Sequence, residues 1–119
     1  MGKVVINKTF NENIDLALQI SLLELIDKVN EEEVVPFRTG TLQDSATVTK
    51  NGVNQVRLTY SRLDYKGIDE IASILYFHPD IKYNKNYNRN AKSRWLDDYI
   101  NNPSIIKNII IRNLQQLFN

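Results

Sequence analysis

The sequence predicts an α+β fold: a small antiparallel sheet with a long N-terminal helix and a C-terminal helix packed on it. Three stretches lead to this prediction. Residues 11–30 carry apolar side chains at helical intervals, residues 53–61 alternate between apolar and polar, and the stretch after Pro103 returns to helical spacing. The chain has 119 residues and no internal repeat, so we expect one domain spanning residues 1–119.

The N-terminal helix is predicted from Asn11 to about Asn30, after a short strand or arm at Val4–Ile6. Thr9 and Glu12 have the spacing of a capping box. Apolar residues cover most of the helix and leave only a narrow polar strip. Such a helix can be buried between the sheet and the last helix of its own fold, or shared with a neighbouring subunit. We favour the neighbour, because a small domain has few elements with which to cover a helix on every side.

A β-hairpin is predicted from Ser45–Thr49 and Val53–Ser61, joined across Lys50-Asn51-Gly52. In its second strand Val56, Leu58 and Tyr60 alternate with polar residues. This pattern is typical of a strand with one buried face.

The second half of the chain is organised around a long polar loop. A helix over Ile68–Phe77 is expected to end at His78-Pro79, because proline disfavours the helical conformation in the residue before it. The loop that follows is rich in asparagine and contains tyrosines, which can pin it to its own domain or present a surface to a partner. It ends at Arg94-Trp95 and the short amphipathic segment Leu96–Ile100. Asn102 and Pro103 are expected to cap and open the last helix.

Composition argues against several classes of function. Fifteen basic and fourteen acidic residues nearly cancel, so the sequence predicts no bulk attraction to nucleic acid or membrane. The absence of cysteine rules out disulfides and thiolate metal sites. His78 is the single histidine, and no nucleophile in a recognisable motif accompanies it. We therefore expect no enzymatic activity, metal or cofactor. The apolar run Val4–Ile6 is too short for a signal segment or membrane span, so we expect a chain made in the cytoplasm.

One cluster could bind nucleic acid. Its members are cations interleaved with aromatic rings: Lys82, Tyr83, Lys85, Tyr87, Arg89, Lys92, Arg94 and Trp95. Stacking rings and phosphate-binding cations suit single strands. The same composition is typical of a solvated protein-binding arm, which we favour.

Four segments together carry a family resemblance: PFRTGTLQDS, YFHPDI, NRNA and RWLDDYI. In order and approximate spacing they resemble the minor capsid proteins of tailed bacteriophages, small neck proteins similar to the head-to-tail joining or tail-completion group. The resemblance spans Pro36–Ile100. The sequence departs from the family at NRNA, where the family has Asn-Pro-Asn-Ala, and Arg89 makes the loop less rigid than proline would.

The resemblance implies an α+β structural virion protein, made in the host cytoplasm, that assembles as a homo-oligomeric ring at the neck between head and tail. Its expected partners are further copies of the chain and other neck, connector and tail proteins. It implies no enzyme, no membrane and no sequence-specific nucleic acid, although DNA can pass through the ring. The alternatives are a small nucleic-acid-binding module that uses loop 82–95 and, after it, an uncharacterised enzyme. The expected interface consists of Arg38, Thr39, Gly40, Leu42, His78, Tyr83, Tyr87, Arg89, Arg94 and Trp95.

Overall fold

The computed structural model describes residues 8–36, 41–61, 71–77, 85 and 88–118. It confirms the predicted fold class, with a two-stranded antiparallel sheet, a long N-terminal helix and a C-terminal helix. The elements in chain order are α1 (Lys8–Glu31), α2 (Thr41–Asp44), β1 (Thr47–Lys50), β2 (Val56–Thr59), α3 (Ile71–Phe77), α4 (Asp97–Asn101) and α5 (Ser104–Phe118).

The two long helices, α1 and α5, pack against each other in opposite directions. The ring of Phe10, near the start of α1, lies 5.2 Å from the ring of Phe118 at the end of α5. Further along, Arg112 of α5 forms an ion pair with Glu24 of α1. Residues early in α1 therefore lie beside residues late in α5, which makes the pair antiparallel.

A buried polar pair fixes the register of these helices. The side-chain amide of Asn113 donates to the Ser21 hydroxyl oxygen at 3.0 Å, and that hydroxyl donates to the Ala17 carbonyl at 2.6 Å. Both polar side chains are buried. Sliding α5 along α1 would leave the buried Asn113 amide without its acceptor, which costs free energy, whereas Ser21 would keep its bond to Ala17.

The hairpin packs on α1 near the N-terminal half of the helix. One carboxylate oxygen of Asp15 accepts the Asn54 backbone N–H at 2.7 Å, and the other lies 3.1 Å from the Lys50 ammonium. The Asn54 amide also donates to the Asn11 side-chain oxygen at 3.3 Å. Asp15 is buried, so this carboxylate acts as the clamp between the hairpin loop and the helix.

The hairpin is shorter than predicted and its loop is longer. The strands pair from Thr47 opposite Thr59 to Lys50 opposite Val56, leaving residues 51–55 as the loop. Gly52 (φ 128°) and Asn54 (φ 57°) both adopt positive φ there, and these residue types tolerate it. The predicted turn at Asn51-Gly52 lies where expected, but the loop extends over residues 51–55 instead of ending at Gly52. The predicted alternation is confirmed, because the apolar positions of β2 are half-buried and its polar positions are exposed.

Helix boundaries differ from the predictions at both ends of the chain. Helix α1 begins at Lys8, three residues earlier than predicted, so Thr9 lies inside it. Helix α5 begins at Ser104, whose hydroxyl donates to the Asn102 side-chain oxygen at 2.7 Å, directly after the predicted Asn102-Pro103 start. The predicted arm Val4–Ile6 lies outside the described residues. None of the described helices is long and apolar enough to cross a membrane.

Trp95 is the centre of the core. Its ring makes edge contacts with Tyr60, with centroids 5.6 Å apart, and with Tyr76 at 4.7 Å. Aromatic pairs prefer such edge-to-face arrangements. Around it the core gathers buried side chains from α1, the segment that follows it, α2, α3 and α4: Leu25, Val29, Val34, Val35, Leu42, Ala72 and Tyr99. The core therefore lies at one end of α1, and the rest of that helix extends away from it with α5 and the hairpin loop.

Replacing Asp15 tests the clamp. We expect Asp15→Ala to lower the free energy of unfolding by roughly 1 to 3 kcal/mol, because it leaves the Asn54 N–H without its acceptor. Asp15→Asn keeps an acceptor oxygen and should cost less. Asp44→Ala, at an exposed position of α2, is the matched control and should stay within about 0.5 kcal/mol of the parent. Urea unfolding measures all three, and equal losses for Asp15→Ala and the control would contradict the assignment.

Candidate functional site

Four of the ten residues predicted to form an interface lie in the described part of the chain: Leu42, Arg89, Arg94 and Trp95. The other six lie outside the described residues: Arg38, Thr39, Gly40, His78, Tyr83 and Tyr87. For those six the interface assignment stays a prediction.

Leu42 and Trp95 are interior residues of the subunit. Each is 1% exposed, and both belong to the core cluster. Neither can contact a partner without the core opening, so their assignment to an interface is corrected. Leu42 lies in helix α2 and points into the core.

The NRNA motif forms a polar connection inside the subunit. The buried amide of Asn88 donates to the Val35 carbonyl at 2.8 Å and to the Gln43 side-chain oxygen at 2.9 Å. Two positions on, the Asn90 amide donates to the Glu32 carbonyl at 2.8 Å. An asparagine amide carries two donors, and Asn88 uses both. The motif therefore ties the segment after the long loop to the chain that leaves α1.

Backbone hydrogen bonds continue this connection. The N–H of Asn90 donates to the Glu33 carbonyl and that of Lys92 to the Val34 carbonyl, each at 3.1 Å. The Arg94 N–H donates to the Tyr76 carbonyl at 2.9 Å. Residues 88–94 thus run beside residues 32–35 and reach the end of α3, which places Trp95 in the core.

Arg94 makes the turn that directs the chain into α4. Its φ is 50°, a left-handed conformation that is uncommon for a residue with a side chain. Its guanidinium lies 5.2 Å from the centre of the exposed Phe77 ring. A cation in this position is attracted by the face of the ring. Among the four predicted interface residues that the structure describes, Arg94 is the one whose side chain forms an exposed patch with an aromatic ring.

The cations of this segment are paired with acids. The three ion pairs are Arg89 with Glu33 at 3.3 Å, Lys92 with Asp98 at 2.5 Å, and Arg94 with Asp97 at 3.5 Å. Exposed pairs of this kind contribute little to stability, about 0 to 1 kcal/mol each. They do neutralise the positive charge of the segment, so its described part is not a free basic surface.

Three tyrosines around Trp95 are held in their neutral form. Burial raises the pKa of Tyr60 to about 12. Burial also raises the pKa of Tyr76, helped by its hydrogen bond to Asp97, and raises that of Tyr99, helped by its hydrogen bond to Glu32. These hydroxyls therefore act as donors to carboxylates or remain inside the core, and none is activated for proton transfer near neutral pH.

An aromatic groove of about 180 Å³ opens beside Trp95. It is lined by Leu58, Tyr60, Ala72, Tyr76, Phe77, Trp95 and Leu96. In the described part of the chain, no group of three or more His, Cys, Asp or Glu side chains could hold a metal ion. The described residues that line the groove are apolar or are tyrosines held neutral, so they form a packing surface.

The N-terminal helix has an apolar face in solvent. Leu16 is 44% exposed and Leu23 is 53% exposed, with the half-buried Ile20 between them. Their spacing of four and then three residues keeps them on one side of the helix, as in the seam of a coiled coil. Sequence reasoning detected the excess of apolar residues in this helix, but did not place these three in the interface.

The outer side of α5 has a similar feature. Ile111 is 42% exposed and Phe118 is 45% exposed, seven residues apart on the same side of the helix. Sequence reasoning read this stretch as the apolar stripe of a packed helix and missed the outward pair. The signal that could have found them is the apolar residue at 111, which falls outside the stripe that faces α1.

A comparison of the chain with family models, curated proteins and solved structures finds no match.

Replacing Asn88 tests the role of the NRNA motif. We expect Asn88→Ala to lower the free energy of unfolding by roughly 2 to 3 kcal/mol, because the buried Val35 carbonyl and the half-buried Gln43 side-chain oxygen both lose a donor. Asn90→Ala is the matched control, since it removes one exposed amide from the same motif and should cost about 1 kcal/mol or less. Chemical unfolding followed by Trp95 fluorescence measures both. An Asn88→Ala variant as stable as the parent would show that the motif does not hold the segment.

Proposed function

We propose that the chain is a structural virion protein of a tailed phage and forms part of the ring that joins head to tail at the neck. The observation that carries this proposal is the apolar face of α1, which the described part of the subunit leaves in solvent. Contiguous exposed apolar residues on a helix indicate a surface that another protein covers. In a homo-oligomeric ring, the neighbouring subunit supplies that cover.

The shape of the subunit supports assembly. Its principal extents are 59 × 29 × 20 Å and its radius of gyration is 17.2 Å. A compact domain of this length has a radius of gyration of roughly 13 to 14 Å. An elongated subunit exposes more of its helices than a compact one, and those helix sides are available to neighbours.

The motifs that carry the family resemblance fit a structural role. The described residues of NRNA and RWLDDYI hold residues 32–35, the end of α3 and the core together. These residues build a rigid frame from which α1 and α5 extend. An enzyme would require a nucleophile or an acid-base pair in a cleft, and the described part of the frame has neither.

A nucleic-acid-binding module has less support. Trp95, the largest ring of the proposed stacking surface, is buried, and three of the cations are neutralised by acids. Binding to single strands needs accessible rings and unpaired cations. The cation Lys82 and the rings Tyr83 and Tyr87 lie outside the described residues. A nucleic-acid-binding function would therefore depend on them.

Inactivating the gene in the phage that encodes the chain tests the proposed function. We expect lysates that contain DNA-filled heads and separate tails, because the ring that joins them is missing. Supplying the wild-type chain from a plasmid should restore joined particles, and an antibody against the chain should label the neck of the wild-type virion. Intact infectious particles without the chain, or labelling anywhere other than the neck, would contradict the proposal.

A further inference from the structure

Building on the proposed ring, we infer that neighbouring copies meet through an antiparallel pairing of α1 of one copy with α5 of the next. Two surfaces are involved. The α1 outer stripe consists of Leu16, Ile20, Leu23 and Asp27, and the α5 outer stripe consists of Lys107, Ile111 and Phe118.

Leu23 and Ile111 point away from the contact that α1 and α5 already make, whereas Phe118 touches Phe10 of its own α1 at the edge of that contact and is still 45% exposed. Within the subunit these helices meet at Ser21 and Asn113. Leu23 lies two residues beyond Ser21, and Ile111 lies two residues before Asn113. Two residues turn an α-helix through about 200°, so Leu23 and Ile111 each lie on nearly the opposite side of their helix from that contact. Within the described residues, the α1–α5 pair is therefore a layer with an exposed apolar edge on each side.

The spacing of the stripes matches in one direction only. On α1 the outward residues Leu16, Leu23 and Asp27 are separated by seven and four residues, and on α5 Phe118, Ile111 and Lys107 are separated by the same intervals in reverse. An antiparallel pairing places Leu16 opposite Phe118, Leu23 opposite Ile111 and Asp27 opposite Lys107. A parallel pairing would place the Lys107 ammonium opposite the side chain of Leu16.

The charges of the stripes are complementary. The charged residues of α5 are Lys107 and Arg112, both basic, and Arg112 is paired with Glu24 inside the subunit. Lys107 forms no ion pair with any described residue. Asp27 and Glu31, at the end of α1, likewise form no ion pair with a described residue. The neighbour's α5 thus brings an unpaired cation to the end of α1 where unpaired acids lie.

Pairing two α1 stripes with each other would not satisfy these charges. The stripe carries Asp27 and no cation, and nearby Lys28 is already bonded to Glu32 at 3.1 Å. Opposite charges placed across an interface fix its register and its choice of partner. The charge pattern therefore favours α5 of a neighbour over a second α1.

An interface between two different surfaces has a consequence for assembly. Each copy uses its α1 stripe toward one neighbour and its α5 stripe toward the other, so the contact repeats head to tail. Such contacts close into rings when the rotation between copies allows it. The inferred pairing would produce a wall of alternating α1 and α5 helices, each antiparallel to the next.

Two single substitutions, one on each stripe, test the pairing. Leu23→Asp places a charge in the α1 stripe, and Ile111→Asp places one in the α5 stripe. Both positions are exposed, so each variant should keep the fold of the subunit. Circular dichroism and thermal unfolding verify this. We expect the wild-type chain to be an oligomer by native mass spectrometry and each variant alone to be a monomer. An equimolar mixture should give a dimer of one copy of each variant and nothing larger, because one intact stripe remains on each. Gln116→Asp, an exposed position of α5 away from its stripe, should leave the oligomer unchanged.

Other outcomes overturn the inference. The inference fails if the wild-type chain is monomeric at the highest attainable concentration. It also fails if either variant forms the wild-type oligomer, or if the mixture contains no dimer of the two variants. Dimers of Ile111→Asp alone would show that α1 pairs with α1. These measurements use purified protein, so a chain that assembles in this way but is absent from the phage neck would refute the proposed function and leave the pairing intact.

Discussion

The packing of α1 is the constraint on which the rest of the structure depends. This helix has apolar residues around most of its circumference, and in the described part of the chain it is covered by α5, the hairpin and, at its C-terminal end, the core around Trp95. Both α5 and the hairpin are held to it by buried polar contacts, through Ser21 with Asn113 and through Asp15 with the hairpin loop. Buried polar contacts are direction-dependent, whereas apolar burial is not. They fix which side of α1 is covered and consequently which side remains for another molecule.

The second constraint is the frame around Trp95. The chain leaves α1 through residues 32–35 and returns beside them at residues 88–94, and the amide of Asn88 joins the two. Because these contacts use side-chain amides and backbone groups, the segment needs little apolar area of its own. The aromatic rings of Tyr60 and Tyr76 then enclose Trp95. The polar loop motif and the tryptophan, which suggest a binding arm when read as a list of residues, thus build the interior.

The sequence predicted the features that depend on local periodicity and failed where partners are distant. The helical spacing of residues 11–30 and the alternation around Leu58 follow directly from the geometry of helix and strand, so both were right. The partners of Asn88 lie 53 and 45 residues away in the chain, and no local pattern reveals such contacts. Trp95 was assigned to an interface because aromatic residues are enriched there. Burial depends on the whole fold, and here it placed the ring inside.

The same reasoning explains why the outward residues of the helices entered the candidate interface only once the fold was known. The excess of apolar residues in α1 was visible in the sequence, but which of them face outward became clear only once the positions of α5 and the hairpin were known. The most direct measurement uses the absence of native cysteine. Under mild oxidation, a chain carrying both Leu23→Cys and Ile111→Cys should form a ladder of covalent oligomers, while each single variant stays a monomer. A dimer from Leu23→Cys alone, or no cross-link from the double variant, would contradict the account.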